Sequence, residues 1–136
     1  MSEIKFRGKR LKDGTWVYGL PTQDVNEHYR IQYDPRRFSV VIDPDTGGQY
    51  TGVRDKNGKE IWEGDIFKDD RGVVRSVFRV PGGFAFEDDP VSFGYDHRAP
   101  VYPYSPIADP QNVSWLAQCC EVIGNIHDNT ELLKTE

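Results

Sequence analysis

The sequence predicts a mainly β protein, with small barrel-like or strongly curved antiparallel sheets and one short helix near residues 114–119. Apolar and polar residues alternate in several short runs, which is the period of half-buried strands. Tight-turn dipeptides such as Asp13-Gly14 and Asn57-Gly58 separate these runs. Short strands joined by tight turns are typical of a small antiparallel barrel.

The predicted strands begin with a hairpin over residues 3–20 that turns at Asp13-Gly14. A loop over 21–27 follows, because Pro, Asp and Asn gather there. A turn over 45–48 comes after Asp43-Pro44. Further strands are predicted at residues 29–33, 38–42, 50–55, 59–68, 72–80, 84–87, 91–95 and 121–126.

The segment 98–113 differs from the rest, since it contains four closely spaced prolines. Such prolines cannot continue a helix or a central strand, which predicts a loop on the surface. The best helix candidate is Ser114 to Cys119, with Asn112 or Ser114 as its N-cap. A short turn over 129–133 is predicted to end the chain.

The length of 136 residues suits a single domain, 1–136. Two intimate halves are the alternative, with N-terminal hairpins in 1–48 and a barrel-like part in 49–133. A chain of this length buries about two thirds of its unfolded surface, so it needs no disulfide or metal to fold.

The charge and hydropathy of the chain predict its surroundings. The net charge of −5 disfavours nucleic acid as the main partner, because phosphate binding needs a basic balance. No apolar run is long enough for a membrane span, and the N-terminus lacks the apolar core of a signal peptide. We therefore expect a cytoplasmic protein that contacts no membrane.

The cysteines and histidines offer no catalytic or metal-binding spacing. Cys119 and Cys120 are adjacent and have no His or Cys partners at ligand spacing, so we predict reduced thiols of which at least one is buried. The histidines, His28, His97 and His127, are far apart along the chain. We expect no enzyme active site, no metal and no cofactor.

The acidic pairs Asp43/Asp45, Asp69-Asp70 and Asp88-Asp89 do not fit a calcium loop, and we interpret them as turn residues. Glu63-Gly64-Asp65 interrupts a strand run, and Gly64 predicts a bulge or a close backbone approach there. A structural kink is the favoured interpretation. Two carboxylates that face a partner are the alternative.

The hairpin around Asn57-Gly58 has two possible registers. A two-residue turn sets Asp55 opposite Glu60, which brings like charges together. A three-residue loop, Lys56-Asn57-Gly58, instead sets Asp55 opposite Lys59 and leaves Gly58 left-handed. It also pairs Arg54 with Glu60 and Val53 with Ile61. We predict this second register.

The run from Tyr50 to Ile66, YTGVRDKNGKEIWEGDI, resembles the central signature of the YopX proteins, which are small proteins encoded by phages and prophages. Residues 3–7 resemble the opening of that family, and residues 121–132 resemble its ending. The resemblance implies a phage or prophage origin, hence a bacterial host cytoplasm, and a mainly β fold. It brings no established activity with it.

Together these features predict a non-catalytic accessory protein that acts by binding protein or by self-assembly as a homo-oligomer. Tyr102, Tyr104 and Ile107 are the predicted partner-binding residues, since prolines hold their segment extended and Tyr is enriched in interfaces. The alternative for that segment is packing onto its own barrel.

The alternative function is nucleic-acid binding through the basic N-terminal hairpin. Lys5, Arg7 and Lys9 share one strand face, because alternate residues of a strand point the same way. A solvated outer face is the structural alternative for the same three residues.

Overall fold

A computed structural model describes residues 5–34, 38–87 and 104–133 of the chain. Several sequence-based predictions fall outside these ranges. They concern Tyr102, His97, the pair Asp88-Asp89 and the strand at 91–95.

The described residues form ten strands, one α-helix and a 3₁₀ helix, which confirms the mainly β prediction. The helix α1 is Pro110–Cys119, and the 3₁₀ helix is Thr130–Leu133. The strands are β1 (Phe6–Arg10), β2 (Trp16–Gln23), β3 (Tyr29–Gln32), β4 (Ser39–Arg54), β5 (Glu60–Trp62), β6 (Asp65–Lys68), β7 (Val74–Val80), β8 (Gly83–Glu87), β9 (Tyr104–Pro106) and β10 (Glu121–Asn125).

The chain divides into two compact units, residues 1–50 and 51–136. In the first unit β1 pairs with β2, β2 with β3 and β3 with β4, and β4 returns to pair with β1. The four strands therefore close a ring. Glycines allow its tight packing, since a Cβ at Gly8 would lie 2.5 Å from Ile42 Cδ1 and one at Gly19 would collide with the carbonyl of Gln32.

Strand β4 contains the turn that was predicted between two separate strands. Arg7 of β1 lies opposite Gly48, whereas Lys9, two residues along β1, lies opposite Asp43. The surplus residues of β4 form a bulge, which Thr46 holds by donating its hydroxyl to the carbonyl of Asp43 at 2.6 Å. Residues 45–48 are thus an irregularity within one long strand, because β1 continues to pair on both sides of it.

The second unit holds a five-stranded antiparallel sheet in the order β10-β6-β7-β8-β9, and β5 pairs with the end of β4. Three rings form the centre of its core. The ring centroids of Phe67 and Phe86 are 5.6 Å apart, and those of Phe86 and Trp115 are 5.5 Å apart. The buried cluster is Val53, Ile61, Phe67, Val77, Phe86, Ile107, Leu116, Cys120 and Val122.

The predicted strand 59–68 is two strands, because the chain turns at Glu63-Gly64. Gly64 has φ +90°, which is the left-handed region that favours glycine. The Asp65 carboxylate accepts a hydrogen bond from the N–H of Trp62 at 2.7 Å and is itself buried. The structure therefore supports the favoured interpretation of Glu63-Gly64-Asp65 as a structural kink.

The helix begins earlier than predicted, at Pro110, and its N-cap is Asp109 instead of Asn112 or Ser114. The Asp109 carboxylate accepts a hydrogen bond from the N–H of Gln111 at 2.9 Å. Proline fits the first helical position, since no intrahelical partner is needed for its missing N–H. No helix in the described ranges has both the length and the apolar content of a membrane span.

Candidate functional site

Three hairpin turns share one geometry, in which an aspartate organises the loop. At Asp55 the N–H donates to the carbonyl of Lys59 at 2.8 Å, and the carbonyl accepts from Gly58 at 3.0 Å. The Oδ1 atom accepts two further N–H bonds, from Asn57 and Lys59, both at 2.9 Å. The same bonds recur at Asp24 and Asp69. The fourth residue of each turn is left-handed, with φ +66° at Glu27, +79° at Gly58 and +84° at Gly72.

This geometry confirms the three-residue loop Lys56-Asn57-Gly58, with Asp55 opposite Lys59 and Gly58 left-handed. Both oxygens of the Asp55 carboxylate accept hydrogen bonds within the protein. The Oδ2 atom of Asp55 accepts the N–H of Val122 at 2.9 Å, so the same side chain holds β10 against the turn. Asp55 is therefore a structural residue.

Asp69 makes the same turn and a buried ion pair. Its Oδ2 atom lies 2.8 Å from Arg75 Nη1, and the side chains are 0% and 3% exposed. Burial alone would raise the pKa of Asp69, but hydrogen bonds from Arg75 and from the N–H groups of Val73 and Arg71 outweigh it and lower the pKa. The Arg75 guanidinium also lies over the Trp115 ring, 5.3 Å from its centroid.

The cysteines are free, with Cys119 half-buried and Cys120 fully buried, as predicted. Burial raises the pKa of the Cys120 thiol to about 12. A nucleophilic cysteine needs the thiolate form, so Cys120 behaves as a small core residue at neutral pH. Among the described residues, no three His, Cys, Asp or Glu side chains gather as metal ligands would. His28 instead pairs with Asp24, with 3.2 Å between Nδ1 and Oδ2.

The predicted partner-binding residues are partly withdrawn from the surface. Ile107 was expected on a surface loop, but it is 2% exposed and belongs to the core of the second unit. The reason is that β9 pairs with β8, which draws this proline-rich segment onto the sheet. Tyr104 is half-buried, with its ring centroid 5.9 Å from that of Phe78.

The basic residues Lys5, Arg7 and Lys9 do not form a freely solvated face. Arg7 is buried at 6% exposure, and its guanidinium lies 4.5 Å from the centroid of the Trp16 ring. Lys9 Nζ lies 5.5 Å from the same centroid, and Lys5 Nζ lies 5.0 Å from the centroid of Tyr50. The predicted common face exists, but rings of the first unit cover part of it.

The exposed apolar side chains were not identified from the sequence. Seven large apolar residues are exposed within the described ranges, and all seven belong to the first unit. They are Leu11, Tyr18, Leu20, Val25, Tyr29, Tyr33 and Phe38. Alternation placed Tyr18 on a predicted strand, but it does not tell which strand face is turned to solvent.

The first unit also contains an open cavity of about 490 Å³. Leu11, Val40 and Val41 supply its apolar wall. The other lining residues in the described ranges are Arg10, Lys12, His28, Arg30 and Ser39. We define this set of eight residues as the basic-rimmed cavity.

Comparisons with known proteins agree with this architecture. The crystal structure of protein EF1440 from Enterococcus faecalis is similar at 25% sequence identity and a TM-score of 0.63, over 98% of this chain and 100% of that one. No curated protein matches the chain significantly. The YopX protein family matches residues 5–134, nearly the whole length. This chain therefore belongs to the YopX family.

Proposed function

We propose that this chain is a non-catalytic accessory protein of a phage or prophage, which acts in the bacterial cytoplasm by binding protein through its first unit. The observation that carries the proposal is the distribution of exposed apolar side chains. All seven in the described ranges belong to residues 1–50. Exposed apolar patches of several hundred Å² mark interaction sites on soluble proteins, and the concentration of these side chains in one unit supports such a patch there.

The polar and thiol groups of the second unit differ from these exposed side chains, because they are engaged within the fold. Its carboxylates Asp55, Asp65 and Asp69 accept structural hydrogen bonds, and its Cys120 thiol lies in the core. These groups stabilise the fold and are withdrawn from solvent. The contacts of a partner are therefore expected on the first unit.

The residues Tyr18 and Leu20 are the best positions for a test. They lie two apart on β2, so they share one face, and both are about half exposed. Tyrosine adds a large, rigid contact area at an interface. Leu20 lies opposite Gln32 of β3, so this part of the face crosses two strands.

The experiment is affinity capture from lysogenic or infected cells, together with light scattering of the purified protein. We expect wild type to retain a protein partner or to self-associate, and the double variant Tyr18→Ser/Leu20→Ser to lose it. The matched control Tyr18→Phe/Leu20→Met keeps the apolar face and should keep the partner. Thermal melting of both variants checks that they fold.

Two results would overturn the proposal. One is a Tyr18→Ser/Leu20→Ser variant that folds and keeps every partner of the wild type. The other is capture that nuclease treatment abolishes, which would favour nucleic-acid binding through Lys5, Arg7 and Lys9 instead. That alternative also requires binding that weakens steeply with salt.

A further inference from the structure

We infer that the basic-rimmed cavity is a docking site for an acidic peptide segment of a partner protein, with an aliphatic side chain inside and carboxylates against the rim. This inference rests on the proposed function and names a subsite and a ligand class for it. The volume of about 490 Å³ lies within the range of small-ligand sites, roughly 300–1,000 Å³.

The apolar wall fits an aliphatic side chain. Val40 and Val41 are half-buried members of β4, and Leu11 is 66% exposed in the β1–β2 turn. The N–H of Leu11 donates to the carbonyl of Val41 at 3.0 Å, which fixes the turn against the strand. An apolar group that enters the cavity covers Leu11 and removes this exposed surface from water.

The rim carries three cationic side chains, Arg10, Lys12 and Arg30, and Arg30 is fixed in position. The Arg30 guanidinium donates from Nε to Ser39 Oγ at 2.9 Å and from Nη2 to the Ser39 carbonyl at 3.1 Å. Its Nη1 atom lies 3.3 Å from Asp24 Oδ2, and Arg10 Nε lies 3.6 Å from Asp13 Oδ1. Both ion pairs are partly exposed, and such pairs contribute little, so a ligand carboxylate can share these cations.

The choice of a peptide over a nucleic acid follows from the lining. Single-stranded nucleic acids are held by bases that stack on aromatic side chains. Among the lining residues that the structure describes there is no Phe, Tyr or Trp and no acidic residue, and Asp13 and Asp24 pair with Arg10 and Arg30 beside them. Charge complementarity with aliphatic walls therefore favours an acidic, aliphatic peptide.

The test measures fluorescence anisotropy of a labelled hexapeptide that has two central leucines flanked by glutamates, with the full chain. We expect binding that weakens with added salt and falls about tenfold or more in Lys12→Glu, since a rim charge of the wrong sign repels the ligand. The control Lys59→Glu changes the net charge equally on an exposed residue of the second unit. It should bind like wild type.

A second pair of comparisons tests the apolar wall. Leu11→Ser should weaken binding and Leu11→Met should retain it, and a peptide with serines in place of the leucines should not bind. Leu11 and Lys12 are exposed turn residues, so these variants should fold, which thermal melting verifies.

Several outcomes would overturn the inference. The peptide does not bind, or Lys59→Glu weakens its binding as much as Lys12→Glu does. Alternatively, oligothymidine displaces the peptide, or the chain forms a dimer that Lys12→Glu dissociates. Failure here is distinct from failure of the proposed function. If Lys12→Glu keeps the captured partner while Tyr18→Ser/Leu20→Ser loses it, the first unit binds protein but the cavity is not the site.

Discussion

A single glutamate departs from the backbone preferences of its residue type. Glu27 is the only non-glycine residue with positive φ in the described ranges, at +66°. It occupies the position that glycine takes in the two other aspartate-organised turns, as Gly58 and Gly72. The left-handed conformation costs a residue with a Cβ about 1–2 kcal/mol. The hydrogen bonds that Asp24 accepts across the turn hold Glu27 in this unfavourable conformation.

We predict that Glu27→Gly stabilises the protein by roughly 0.5–1 kcal/mol, because relief of the backbone strain exceeds the added freedom of the unfolded chain. Urea denaturation would measure the change. Asn26→Gly is the matched control, since Asn26 does not have positive φ, and it should give no gain. A lower midpoint for Glu27→Gly would contradict the prediction.

The buried Asp69 carboxylate predicts a dependence of stability on pH. Its pKa is lowered in the folded state, so the folded protein binds its proton less readily than the unfolded chain does. The stabilisation is thus present above the ordinary value of 3.8 and is lost as the pH falls through the lowered pKa. We expect Asp69→Asn to lose about 3 kcal/mol at neutral pH, because Arg75 stays buried without this anion.

The measurement is the free energy of unfolding of wild type and Asp69→Asn at several pH values between neutral and acid. The difference between them should shrink as the pH falls. Asp70→Asn serves as control, because Asp70 is exposed, and it should change little. A difference that stays constant down to acid pH would contradict the assigned role of Asp69.

At the scale of elements, local turn chemistry accounts for most of what the sequence predicted. Asp-x-x-Gly at Asp55 closes a hairpin because the carboxylate and the left-handed glycine act within five residues. Long-range pairing accounts for what was missed. The strand Tyr104–Pro106 tolerates its proline because β9 lies at the edge of its sheet. No local pattern predicts that edge, so the burial of Ile107 was missed with it.

We predict that Asp55→Ala destabilises the protein more than Asp109→Ala does. Asp55 accepts three backbone N–H bonds and joins the turn to β10, whereas Asp109 caps one helix on the surface. The expected losses are about 2–3 kcal/mol for Asp55→Ala and about 1 kcal/mol for Asp109→Ala. Denaturant midpoints of the two variants would compare them, and equal losses would mean that the bond to Val122 contributes nothing.

At the scale of the whole molecule, the two units differ in charge and in core. Residues 1–50 carry eight Lys and Arg against seven Asp and Glu, whereas residues 51–136 carry nine against fifteen. The net charges are thus +1 and −6. The overall value of −5 conceals this asymmetry. The candidate site was missed because its residues come from the end of β1, the β1–β2 and β2–β3 turns, β3 and β4, which the closed ring brings together.

The exposed apolar residues belong to the first unit, whereas most of the buried ones belong to the second. Of the fifteen in the described ranges, three belong to the first unit, namely Ile31, Ile42 and Tyr50. The other twelve belong to the second unit. Burial of apolar area is the main favourable term in folding, so the first unit gains less stabilisation from its core and should open more readily.

We therefore predict that amide hydrogens of the first unit exchange faster than those of the second. Strands β3 and β7 make a matched comparison, since each lies between two partners and each contains a buried apolar residue, Ile31 at 1% and Val77 at 2% exposure. Hydrogen exchange measured by mass spectrometry should show β3 exchanging through a lower-energy opening than β7. Equal protection would mean that both units open only by global unfolding. Binding sites tend to lie in the less stable parts of a protein, so a bound partner should raise the protection of β2 and β3 and leave β7 unchanged.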